Sequence, residues 1–471
     1  MIRRKSPDRR LFYGSEELYR SPRTNVYIQL NETVGNWGDL CKPLLACFSE
    51  KKNGRPSDHV VYFKIFVVAY RENIIFDTDL ADRIADSLAI REFLGFGPCE
   101  RLPDHSSISR VRAQFAKKGK ALQKMLSDVV ERCAEADLIE GSIVATDSVL
   151  LPANASLSSM VSVETGKTVR EHLAEARESK VKPKVSNKEF RPSGDKDARI
   201  ATKRGTPVGM YYKATHVTDS KSQVILSVGL SKADVGECEA AKLPIQQAQI
   251  RLKTSSLALG TVLADAGYDD GKFHAWLESL KITPLTNYTD STSPKAKGYA
   301  KSDFTYDAAN DLYICPQGKT LSRGRPEGDR ILYVAEEHDC LNCPVRKLCL
   351  EDMKRRRIVK RPIEEDARDR NIARCHTEDG RKKLKMRKTV VEPPFGHMKR
   401  YGGLALISCW TEERAEVKVT VAAIVWNLMK LAKKNGKTGQ SGFFDRLKRS
   451  IRGIFALTCH GSATRTMALA G

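Results

Sequence analysis

The chain has 471 residues, 41% of them hydrophobic, with a net charge of +22 and an isoelectric point near 9.4. That length exceeds one simple core and predicts about two to four domains, while the surplus of positive charge points to a polyanionic partner. No run of about 18 apolar residues is present, which excludes a membrane-spanning helix, and the basic MIRRKSPDRR has no apolar segment behind it, so no signal peptide is expected.

Residues 1–57 read as an N-terminal arm ending in a polar stretch. From 58 to 138 the pattern is helical. HVVYFKIFVVAY is apolar nearly all round and predicts a buried helix. In PDHSSISRVRAQF, Ser106 and Ser107 offer N-caps to a helix carrying Arg110 and Arg112. At about 141 the period changes: SIVATDSVLL predicts a short strand with an aspartate in it. Residues 160–205 are polar and predict a mobile helical or irregular segment. VGMYYKATHVTDSKSQVILSVGLS reads as a hairpin, GECEAAKLPIQQAQIRLK as a helix, LALGTVLAD as a strand, GKFHAWLESLK as a helix and ITPLTNYT as a strand. Residues 139–287 therefore predict a mixed α/β layer around one sheet. Residues 288–384 break that rhythm and read as an insertion. Helices resume over 385–435, and 436–471 is a basic tail.

Three carboxylates stand out. Asp147 lies in the first strand and Asp265 ends the strand LALGTVLAD, at the rim where α/β sheets build their sites. Glu392 lies in RKTVVEPPFGHMKR, a lone acid among basic residues. Pro393 and Pro394 fit only a first helical turn, so a helix is expected to start near Glu392, with Lys399 almost two turns on and on the same face. Hard oxygen ligands on separate elements suit two Mg²⁺ ions engaged in phosphoryl transfer, with Mn²⁺ able to substitute. The bland alternatives are turn-capping aspartates, a glutamate matched to a helix dipole, and a solvated lysine.

The ordered motifs TDSVLLPANAS, DKDARIATKRGTPVGMYYKATHVTD, VLADAGYDD, CPQG, CLNCPVRKLC, RKTVVEPPFGHMKR and ERAEVKVTVAAIVWNLMKL resemble DDE transposases of bacterial insertion sequences. RLPDHSSISRVRAQF is similar to the signature of the InsH-type N-terminal domain. The resemblance spans about 55–435. It implies a helical DNA-binding domain, an RNase H-like catalytic domain interrupted by a cysteine-bearing insertion, and a catalytic triad of Asp147, Asp265 and Glu392. Related families place Tyr and Arg seven and four residues before the glutamate. Here those positions are Lys385 and Lys388, whereas Lys399 matches.

Cys315, Cys340, Cys343 and Cys349 bring four thiols into 35 residues, a set that suits a structural Zn²⁺. The alternatives are an iron–sulfur cluster on the same atoms, Cys375-His376 replacing one ligand, or four unligated thiols. The basic runs KRRRIVKR, with Arg355, Arg356 and Arg357, and RKKLKMRK, with Lys388, are expected to contact phosphates without reading sequence. Arg110 and Arg112 are the candidates for reading bases. The expected activity is transposition: binding the terminal inverted repeats of an element in double-stranded DNA, cutting there, and joining the ends to target DNA as a homo-oligomer. The expected place is the cytoplasm, at the nucleoid. A decayed DNA-binding protein and an RNase H-like nuclease without joining activity are the alternatives.

Overall fold

The computed structural model describes residues 26–48, 58–178, 185–203, 205–288, 299–350 and 355–434. The basic tail 436–471, most of the N-terminal arm and Lys354 lie outside the described residues.

The N-terminal part is built from helices α1 (Val26–Val34), α2 (Trp37–Cys41), α3 (His59–Arg71), α4 (Asp77–Asp86), α5 (Leu88–Leu94), α6 (His105–Lys117) and α7 (Lys120–Glu135). The run HVVYFKIFVVAY becomes α3, with Tyr62, Phe63, Ile65, Phe66, Val67, Val68 and Tyr70 all buried. Helix α6 begins before the two serines. Asp104 is its cap, accepting the Ser107 N–H at 2.7 Å and the Ser106 hydroxyl at 2.9 Å.

The chain continues as β1 (Ile143–Pro152), β2 (Met160–Ser162), α8 (Val169–Glu178), β3 (Phe190–Pro192), β4 (Arg199–Lys203), β5 (Thr206–Asp219), β6 (Ile225–Lys232), α9 (Glu237–Thr254), β7 (Thr261–Ala264), α10 (Gly271–Ser279) and β8 (Thr283–Thr286). The main sheet runs β6-β5-β1-β7-β8, with β4 sharing the β6 edge of β5. Strands β1, β5 and β6 pair antiparallel, and β7 and β8 run parallel to β1. Numbered among themselves these five strands run 3-2-1-4-5, the RNase H-like arrangement. The polar segment 160–205, expected to be helical or irregular, has strands as well as a helix among its described residues. It holds the β2–β3 ribbon, α8 and the edge strand β4.

The insertion is a second sheet. Strands β9 (Thr305–Asp307), β10 (Leu312–Ile314), β11 (Thr320–Glu327), β12 (Arg330–Ala335) and β13 (Ile358–Pro362) pair antiparallel in the order β13-β12-β11-β10-β9. Between β12 and β13 come the short helices α11 (Glu337–Leu341) and α12 (Arg346–Cys349). This sheet has its own apolar centre of Phe304, Tyr313, Leu321, Tyr333, Ala335 and Val359.

Helices α13 (Glu365–His376), α14 (Glu378–Tyr401) and α15 (Glu412–Lys434) follow. Helix α13 falls within the range expected for the insertion, yet packs on α10 and β8 of the main sheet. The helix expected to start at Glu392 starts instead at Glu378, capped by Thr377, and runs through both prolines. Pro393 has no N–H to give the carbonyl four residues back, Thr389 O. That carbonyl is taken by Gln223 Nε2 at 2.8 Å, from the β5–β6 turn. A side chain from another element thus fills the gap that would otherwise end the helix. Helix α15 is the hub: it packs on β6, α7, α6, α3 and α1, so N-terminal helices and main sheet share one core.

Candidate active site

Strands β1 and β7 are parallel neighbours, with Ala145 opposite Leu263. Carrying that register two residues on sets Asp147 beside Asp265. Side chains alternate along a strand, so both aspartates emerge on the face where Ala145 and Leu263 pack against Val390 and Val391 of α14. The Asp147 carboxylate accepts from the Ser148 N–H at 2.8 Å, and Asp265 caps a short turn by accepting the Gly267 N–H at 2.9 Å. Below them Ser148 Oγ meets Thr215 Oγ1 at 2.6 Å and Tyr268 OH at 2.8 Å, a buried hydroxyl network that fixes the rim.

The two carboxylates sense each other. Burial first, and then the charge of Asp265, push the Asp147 carboxyl up to about 6, against the Ser148 N–H, Arg387 and Lys203. Arg387 of α14 lies 3.6 Å from Asp147 Oδ2 and is itself buried. Helix α14 crosses this strand region between Arg387 and Phe395. Phe395 stacks edge-on against His216 at 3.7 Å between ring centroids, and His216 is the cross-strand partner of Asp147.

Glu392 sits between these anchors, one residue after Val391 and three before Phe395, but its side chain is exposed. Among the described residues, no group of three or more His, Cys, Asp or Glu side chains is arranged to hold a metal ion. The structure therefore brings Asp147 and Asp265 together and leaves Glu392 on the open flank of the helix that covers them. The pair itself fits a hard divalent cation: two carboxylates share one rim, and one is held from ionising in part by the other.

The remaining expectations divide. Arg112 is corrected: it is only 5% exposed, its guanidinium is clamped on Asp77 through two 2.5 Å bonds, and it lies over the Phe66 ring. A guanidinium buried against Asp77 is not presented to a base edge. Arg110 is exposed and bonds only back to its own helix, at Ser106 O and Ser107 Oγ. Arg357 is also structural, donating to Cys349 O at 2.8 Å and Tyr299 O at 3.0 Å. Arg355, Arg356 and Lys388 are exposed, and Lys399 is half-buried. The four insertion cysteines share one neighbourhood. Burial raises the Cys349 thiol pKa, and the charges of Cys340, Cys343 and Cys315 add to that against Arg357. Cys315 Sγ accepts from the Lys319 N–H at 3.3 Å and Cys340 Sγ from the Arg357 N–H at 3.5 Å. The thiols are close, but not in ligand geometry. Lys203, Glu237, Arg387 and Gln223 were not singled out from the sequence. Of these, only Arg387 lies in a basic run beside Glu392, five residues before it.

No curated protein matches the chain in sequence. Among solved structures, the chain is similar to the piggyBac transposase in its synaptic complex with hairpin DNA, at 11% identity and a TM-score of 0.34, covering 89% of this chain and 74% of that one. It is also similar to the Mos1 transposase in a paired-end complex with the left transposon end, at 11% identity and a TM-score of 0.18, covering 52% of this chain and 63% of that one. Likeness at that level adds nothing to the assignment. Two family models do: a transposase domain (DUF772) matches residues 16–114, and a transposase DDE domain matches residues 314–432, a span that contains Glu392. With a transposase domain and a transposase DDE domain matching in order on one chain, and a sheet of RNase H-like strand order between them in sequence, the chain is consistent with a DDE transposase of the insertion-sequence type.

Proposed function

We propose that the chain binds the ends of its own element, cuts DNA there by metal-dependent hydrolysis, and joins the 3′ ends to target DNA. The observation that carries the reading is the parallel β1–β7 register, which, carried two residues past the pairing of Ala145 with Leu263, sets Asp147 beside Asp265 under the helix bearing Glu392. In this reading Asp147, Asp265 and Glu392 hold Mg²⁺, for which Mn²⁺ can substitute. When bound, the cation supplies the charge that activates a nucleophilic oxygen and steadies the leaving one.

The protein's own groups set the stage. The Ser148 N–H and Arg387 hold the Asp147 carboxylate in place. Lys388 and Lys399 lie four residues before and seven after Glu392, on its side of α14, and are assigned to the DNA backbone. Arg355 and Arg356 extend that surface, and Arg110 is assigned to the element end. The four insertion cysteines are the proposed ligands of one structural Zn²⁺, supported by their proximity and by the N–H groups already aimed at two of the sulfurs. The working form is a homo-oligomer on DNA in the cytoplasm.

The test is a joining assay on purified chain with Mg²⁺. A duplex ending in the DNA that flanks the coding region is the donor, and a plasmid is the target. Joined product supports transposition. Cleavage without joining points to a nuclease, and binding with neither to a decayed copy.

A further inference from the structure

The rim that carries Asp147 and Asp265 holds two more charged groups. Lys203 ends the edge strand β4, and Glu237 opens helix α9. Lys203 Nζ donates to Glu237 Oε1 at 3.2 Å, and the Glu237 side chain is only 20% exposed. Glu237 also lies close to Asp265. A Cβ at Gly267 would collide with Glu237 Oε2 while lying 3.1 Å from Asp265 Oδ1. The two carboxylates thus flank one point, and the missing side chain at 267 leaves Glu237 the room to be there. The charges of Glu237, Asp147 and Asp265 all act on the Lys203 ammonium. The Lys203 charge in turn acts on Asp147.

An exposed lysine–glutamate pair contributes little by itself. This one differs in its position, with a cation held at the mouth of a site whose carboxylates repel one another. We propose that Lys203 and Glu237 belong to the acidic site, with Glu237 as a positioning residue that tethers the Lys203 ammonium beside Asp147 and Asp265, where it offsets their charge until a divalent cation and a DNA phosphate take its place. The proposal rests on the reading of Asp147 and Asp265 as the cation-holding pair.

The experiment is calorimetric titration of Mn²⁺ into the full chain without DNA, with thermal unfolding as a check on folding. Lys203→Met removes the competing charge and should tighten Mn²⁺ binding about tenfold. Lys203→Arg should stay near wild type. In a Glu237→Gln background the ammonium is no longer held, so Lys203→Met should change Mn²⁺ affinity by less than about twofold, consistent with the loss of a pairwise coupling. An unchanged affinity in Lys203→Met, or an equal effect with and without Glu237, overturns the proposal. Asp147→Asn separates this failure from that of the underlying reading. If that variant binds Mn²⁺ as wild type does, or if wild type binds none, it is the assignment of the acidic pair that falls.

Discussion

Asp147 carries a clear electrostatic signature. Its folded pKa, raised to about 6, lies above the ordinary carboxylate value. Without metal, the fold therefore favours the protonated acid. Stability is fully present below about pH 4 and declines as pH rises through about 6, because the unfolded chain then releases a proton more readily than the folded one. Asp147→Asn removes that cost. In chelator, urea unfolding at pH 7.5 should find the variant more stable than wild type by up to about 3 kcal/mol, with the difference vanishing near pH 4. A variant less stable at pH 7.5 contradicts the cause assigned to the shift.

Arg112 shows the opposite lesson. A basic residue in a helix behind a DNA-binding signature looks like a base reader, since nothing in the local sequence announces Asp77, 35 residues upstream. Burial and a partner on another helix are tertiary facts. Arg112→Ala should destabilise the fold by about 2–3 kcal/mol, because it removes a buried side chain and strands the half-buried Asp77 carboxylate. Its effect on the ratio of element-end to random DNA binding, compared in gel shifts below the unfolding transition, should be negligible. Asp147 and Asp265 were legible for a local reason: each lies on or just after an apolar β run, where a carboxylate has to reach the rim. Lys203 was not, because it sits in a polar stretch without periodicity.

Among elements, strands β1, β5, β6, β7 and β8 were readable from short apolar runs and turn residues. The second sheet was not, because β9 and β10 are three residues each and β11 is mostly exposed. Helix α14 was misread at its start for a sound local reason: two prolines stop most helices. What overrides them is Gln223, held at φ +62° in the β5–β6 turn, whose amide also accepts from Lys430 Nζ at 2.9 Å. Gln223→Ala should leave Thr389 O without its donor and lower stability by about 1 kcal/mol. Faster hydrogen exchange should be confined to the turn of α14 before Glu392. Uniform loosening of the whole chain would argue against this local role.

For the whole molecule, the net charge of +22 is the dominant fact. The structure narrows which cations are free to use it. Arg112 and Arg357 are committed internally, whereas Arg356 and Arg355 are exposed, Arg355 with a long 3.4 Å surface contact to Glu337. Replacing Arg355 and Arg356 with Ala should flatten the slope of log affinity against log salt by at most about two units, and should do so alike for element-end and random DNA. Adding Arg357→Ala should cost stability in the β9–β13 sheet instead of a further unit of slope. A third unit of slope with unchanged unfolding would place Arg357 on the DNA.

The proposed reading needs three carboxylates to act as one site, and only two of them meet in this structure. Glu392 decides it. The measurement is Mg²⁺-dependent strand cleavage of a duplex carrying an element end by wild type, Asp147→Asn, Asp265→Asn and Glu392→Gln, with DNA affinity measured in parallel. All three variants should lose cleavage by at least about a thousandfold, as expected when groups that act as one unit are removed singly, while binding the end within a few-fold of wild type. Cleavage retained by Glu392→Gln, with Asp147→Asn inactive, would contradict the account and leave an acidic site completed by some other residue.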